Sequence, residues 1–86
     1  EVKNQERFTA PPFDGHGLPL WQFQTRLGFF NDTNVEPWLV VVEPNCLTTA
    51  YCASMVALNN LPDEKKLITG NTKRIIFPLS EFSCGF

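Results

Sequence analysis

The 86-residue chain is 43% hydrophobic and 19% charged, with a formal net charge of −2 at pH 7. That length holds one core and one domain, residues 1–86; the composition is too apolar for a disordered chain and too acidic for bulk attachment to nucleic acid or anionic lipid. The longest apolar run, Trp38 to Val42, falls far short of the roughly 20 residues a spanning helix needs, so no membrane insertion is expected.

In chain order, residues 6–12 read as an edge strand, because Pro11-Pro12 fits neither a helix interior nor a central strand. Asp14-Gly15-His16-Gly17-Leu18-Pro19 is dense in turn formers and reads as a loop. From Leu20 to Phe30 the apolar residues Trp21, Phe23, Leu27 and Phe29 alternate with Gln22, Gln24, Arg26 and Gly28, the period of a half-buried strand. Asn31-Asp32-Thr33-Asn34 reads as a polar turn, and Asn31-Asp32-Thr33 is a sequon that makes Asn31 a glycosylation candidate in a secretory compartment. Pro37 to Glu43 is a continuous β-branched run suited to a strand covered on both faces. Residues 47–58 fit helix and strand alike. Pro62, Asp63, Glu64 and Gly70 bound a short helix over 62–69, and 73–79 returns to strand, with Pro78 marking it as an edge or a strand end. The fold class that follows is mostly β: a small antiparallel sandwich or barrel of four to six strands with one or two short helices, with α+β as the alternative.

Three cysteines, Cys46, Cys52 and Cys84, allow at most one intramolecular bridge. Joining Cys84 to either of the others closes a loop of about 30 to 40 residues, worth roughly 3 to 4 kcal/mol in the loop-entropy model. These thiols with His16 have the ligand types for zinc, but Cys46 and Cys52 are spaced more widely than the usual ligand pair, so no metal or other cofactor is expected. Asp14, His16 and a cysteine have the types for a thiol nucleophile and base. None of the cysteines sits in a nucleophile motif, and Gly-His-Gly reads as an exposed turn, so no catalytic residue is assigned. Lys65, Lys66, Lys73 and Arg74 hold four of the seven basic residues, while the first 64 positions carry eight of the nine acids. Aromatics at 13% exceed what a small core needs, which leaves one or two of Phe13, Trp38, Phe82 and Phe86 accessible.

Arg7-Phe8, Phe13-Asp14-Gly15-His16, Leu18-Pro19 and the long alternating strand together resemble the small secreted MAX effectors of plant-pathogenic fungi. The resemblance implies a six-stranded β-sandwich without enzymatic activity that engages host proteins partly through strand edges. It also implies a disulfide from the first strand, which this chain departs from by having no cysteine before Cys46. The helix expected at 62–69 is a second departure.

These readings combine into the expectation of a non-enzymatic binding module, a secreted virulence effector that recognises a host protein through an exposed strand edge and an aromatic and basic surface. The chain opens on Glu1 without an initiator Met, so Glu1 is either an arbitrary boundary or the start of a processed chain; a secreted location is the expectation and a cytoplasmic one the alternative. Arg7, Phe13, Trp38, Lys65, Lys66, Lys73 and Arg74 are the partner-binding candidates, with strand 73–79 as the contact edge of a monomer. Two competing readings are a nucleic-acid-binding module using the basic C-terminal third, and an intracellular interaction or inhibitor domain with reduced thiols.

Overall fold

A computed structural model describes residues 1–44 and 50–85, the last two by backbone alone. Among the described residues, eight short strands form two four-stranded sheets. The first sheet runs β1 (Val2–Asn4), β4 (Trp38–Val42), β5 (Ala50–Ser54), β8 (Ser83–Gly85); the second runs β2 (Phe8–Ala10), β3 (Phe13–Pro19), β7 (Arg74–Pro78), β6 (Leu67–Thr69). The described residues also form two α-helices, α1 (Leu20–Thr33) and α2 (Met55–Asn59). The mostly-β expectation with short helices holds; every strand pair is antiparallel except β1 with β4, which is parallel.

The core lies between the sheets. Leu18, Ile75 and Phe77 of the second sheet meet Leu39, Val41 and Ala53 of the first, joined by Phe23 of α1, Met55 and Leu58 of α2, and Phe82. The Phe23 and Phe77 rings lie 5.3 Å apart and tilted, a favourable aromatic arrangement.

Several local expectations are corrected. The stretch 20–30 is helix, not strand, because Leu20, Phe23, Leu27 and Phe30 recur at helical spacing and face the interior. The alternation came from Trp21 and Phe29, which are exposed on the opposite side. The expected turn at 31–34 is the helix end, closed by left-handed Asn34 (φ 61°), whose N–H donates to the Phe30 carbonyl at 2.7 Å. Asn31 therefore sits exposed in the last turn of α1 rather than in a loop.

The Gly-rich segment 14–19 is not a loop but most of β3, an internal strand. Its glycines serve close approach: a Cβ at Gly15 or Gly17 would stand 1.9 Å or 1.8 Å from a backbone carbonyl oxygen of β7. The segment 62–69 is a 3₁₀ turn at Asp63–Lys65 followed by β6, not one helix. Residues 50–54 are strand and 55–59 helix, so both patterns in the ambiguous stretch were present, with Ser54 capping α2 through the Ala57 N–H. Finally, β7 is internal, flanked by β3 and β6; Pro78 is its last residue, two positions beyond the end of the β6 pairing. The edge strand 6–12 is found as β2, which pairs on one side with β3.

Candidate functional site

The only histidine, expected in an exposed turn, is fully buried. Alternation along β3 turns His16 inward between Gly15 and Gly17, and the chain supplies it with polar partners from two other segments. Its Nε2 lies 2.7 Å from Glu43 Oε2, just past the end of β4, and its Nδ1 lies 3.3 Å from Gln5 Oε1. Arg7 completes the cluster by gripping Glu43 with Nε at 3.0 Å and Nη2 at 3.1 Å, while Nη2 also donates to the Tyr51 hydroxyl at 3.1 Å. The Tyr51 and Phe82 rings pack on the imidazole at 5.5 and 6.2 Å.

The bidentate Arg7 pair holds the Glu43 carboxyl below the usual range, with His16 adding to the effect against the desolvation of a mostly buried acid. The same pair raises Arg7. Burial pushes His16 down and outweighs the upward pull of Glu43. A neutral ring has one N–H, and the short contact to the charged Glu43 claims it. Gln5 plays a second part. Its side-chain amide donates Nε2–H to the Gly17 carbonyl at 3.0 Å and accepts the Gly17 N–H at 3.4 Å, standing in for a strand where β2 no longer covers β3.

Chemically, this cluster ties the N-terminal segment to both sheets. The thiol-and-base pairing considered for His16 is not assembled with Cys52: Cys52 pairs with Val40 and Tyr51 with Val41, so Cys52 lies on the sheet face opposite the one that carries Tyr51 to His16. Cys52 is a half-buried free thiol. Ladder register puts Cys84 opposite Tyr51, not Cys52. A bridge through Cys52 is thus corrected; pairing of Cys46 with Cys84 lies outside the described residues. Among the described residues no three His, Cys, Asp or Glu side chains gather as a metal site.

A second surface stands out on the outer face of the first sheet. Leu39 and Val41 of β4 are buried in the core, while Trp38, Val40 and Val42 point the other way. Register sets Val2 and Cys52 on either side of Val40. Val2 is 70% exposed and Trp38 49%. The expectation that this strand is covered on both faces is therefore met on one face only. β1 is also the sheet edge. Its ladder runs from the Val40 N–H to the Glu1 carbonyl (2.9 Å) and from the Gln5 N–H to the Val42 carbonyl (3.2 Å). In a parallel ladder of that phase, the main-chain groups of Val2 and Asn4 point away from β4.

With the geometry in hand, the chain was compared with known proteins. No family model, curated protein or solved structure matches it.

The expected partner-binding residues fall in five places. Arg7 belongs to the His16 cluster, and Trp38 to the open sheet face. Phe13 is half-buried at the start of β3. Lys65 is paired with Glu81 at 2.7 Å, which raises its pKa, and Lys66 donates to the Asn59 carbonyl at 2.6 Å. Lys73 and Arg74 sit at the far end of the β6–β7 hairpin, so the basic residues do not merge into one free patch. Phe82 is buried, Phe86 lies outside the described residues, and the exposed Trp21 and Phe29 were missed. Gln5 and Glu43 were also missed, since contacts between residues 11 and 27 positions apart carry no local pattern.

Proposed function

We propose that this domain is a non-enzymatic protein-recognition module, of the secreted-effector kind, that takes an extended partner segment alongside β1. One observation carries the reading: β4 has the unbroken apolar sequence of a strand covered on both faces, and the outer face of its sheet is open at Trp38 and at Val2 of the neighbouring β1. The occupant follows from the adjoining edge. Outward main-chain groups at Val2 and Asn4 offer a ladder to a new strand, and Trp38 offers an aromatic anchor beside it. Secretion and a host target belong to the same proposal and rest on Arg7-Phe8 and Phe13–His16; the alternating strand that also supported the effector resemblance is a helix.

The test is selection of linear peptides against the folded protein, followed by mapping of backbone-amide NMR shifts. Expected binders perturb residues 1–5 and 38–42, and lose affinity about tenfold or more in Trp38→Ser. They weaken likewise in Asn4→Pro, which deletes an outward N–H without touching the β1–β4 bonds. Binders that map elsewhere, or that ignore both substitutions, overturn the proposal. So does a wild-type dimer that buries this face, because the occupant would then be a second copy.

A further inference from the structure

A cleft of about 400 Å³ opens on the outer face of the second sheet, between the start of β2 and the β6–β7 hairpin. Ladder register explains why it is there. Phe8 pairs with Gly15, Gly17 with Ile76, and Thr69 with Arg74, and all of these lie on one face. At the two glycines the β3 and β7 backbones close on each other and the Ile76 side chain lies over Gly15, the partner of Phe8, so Ile76 floors the cleft and Phe8 flanks it.

Arg74 lines this trough from the hairpin side. Its Nη2 donates to the Gly17 carbonyl at 3.2 Å, and among the described residues no carboxylate lies within ion-pair distance of it. None of its nitrogens is a buried, unpartnered donor, so its remaining N–H groups reach solvent. Arg7 and Arg26, by contrast, are each paired with a glutamate. Glu6 lines the same cleft without bridging to Arg74. The cleft therefore holds a planar fork of donors, an apolar lining of Phe8 and Ile76, the polar residues Gln5 and Thr69, and one separate negative charge.

We propose that this cleft binds a monocarboxylate joined to a compact apolar group, with the carboxylate on the Arg74 guanidinium and the apolar body against Phe8 and Ile76. A guanidinium matches a carboxylate through two parallel hydrogen bonds, which an ammonium does not. Glu6 disfavours a second negative charge on the ligand. The carboxylate could come from a free organic acid or from the C-terminus of a peptide, and the probes distinguish them.

The experiment titrates the folded protein with 3-phenylpropionate and with N-acetyl-Ala-Phe, each against its neutral amide, following backbone-amide NMR shifts. Saturable shifts at Gly17, Thr69, Gly70 and Arg74 with an acid and not with its amide uphold the site. Tighter binding of the peptide assigns the C-terminal source, and tighter binding of 3-phenylpropionate the free acid. Arg74→Gln should weaken binding about tenfold or more, and Arg74→Lys, which keeps the charge and loses the fork, by several-fold. Glu6→Gln should tighten it about twofold, a gain that a merely structural residue would not produce. If Arg74→Gln does not fold, Arg74→Lys and Glu6→Gln decide. Amides binding as well as acids, shifts centred elsewhere, or affinities unmoved by Arg74→Lys and Glu6→Gln overturn the proposal.

Discussion

The buried imidazole of His16 makes stability depend on pH with a sign the structure specifies. Burial holds the folded-state pKa below its ordinary value of 6.5, so the folded protein resists a proton that the unfolded chain accepts. Stability is then complete above about pH 6.5 and falls as the pH drops through that value, levelling only below the lowered folded-state pKa. There is one histidine, so the slope can reach at most about 1.4 kcal/mol per pH unit. Glu43 and Glu1 also have lowered values, through Arg7 and Arg26 respectively, and they withdraw stability only as the pH falls below the ordinary carboxylate range. The window from about pH 7.5 to about 5 therefore reports on His16 alone.

The informative perturbation is His16→Gln, whose amide can still donate to Glu43 but does not titrate. Losing the ring and its contacts with Tyr51 and Phe82 should lower stability at pH 7.5 by about 2 kcal/mol. Urea unfolding followed by tryptophan fluorescence at a series of pH values gives both numbers, provided the m-value is constant. Wild type should lose stability across the window, and the variant should be flat. A wild-type stability that rises on acidification would refute the reasoning. It would mean that the two oxygens facing the ring, on Glu43 and Gln5, hold a doubly protonated imidazole against its burial.

Two glycines should respond oppositely to alanine. Gly28→Ala, in α1 with no atom within 4 Å of the new Cβ, should stabilise by about 1 kcal/mol, whereas Gly17→Ala, whose Cβ meets the Ile75 carbonyl oxygen at 1.8 Å, should destabilise by about 3 kcal/mol or more. Urea midpoints check both. Ser54→Ala removes the α2 cap and the hydroxyl bonded to Glu36, and should cost about 1 kcal/mol in the same assay. Alkylation of the native protein followed by peptide mapping should find Cys52 modified; recovery of Cys52 in a disulfide would contradict its free state.

What could be read from the residues follows from how far each interaction reaches. The run 38–42 was legible as a strand because five consecutive large apolar residues with three valines leave little alternative. α1 was misread because Trp21 and Phe29 put apolar groups on its solvent side, which turned a helical stripe into an apparent alternation. The Gly-His-Gly segment was misread for a related reason. Glycine marks turns, but here it allows two backbones to approach, and that need appears only when β7, some 60 positions later by the Gly15–Pro78 register, lies alongside. Strand neighbours are not written locally either: Pro78 marks the strand end, as one of its two readings had it, but the edge of the sheet is β6 and not β7. The His16 cluster draws on positions 5, 7, 43 and 51, and no spacing rule connects them.

The same comparison gives the open face of β4 its meaning. Exposed apolar residues are ordinary when scattered, and Ile68 at the rim of the second sheet needs no further account. Val2, Val40 and Cys52 are different because they lie in one row across three strands, next to Trp38 and beside a strand whose outward main-chain groups are unpaired by the ladder. An edge left without charge or proline at its outward positions invites strand addition. Val2 and Asn4 occupy those positions, while the charged neighbour Lys3 sits at a register position facing Val41 and pairs with Glu1. A chain selected only to stay monomeric would gain by placing a charge at Val2, where side chain and backbone both face solvent. Val2→Lys should accordingly leave the urea midpoint of the free domain nearly unchanged and abolish capture of an extended partner; a large loss of stability instead would mean that Val2 already packs within the domain and that the face is closed.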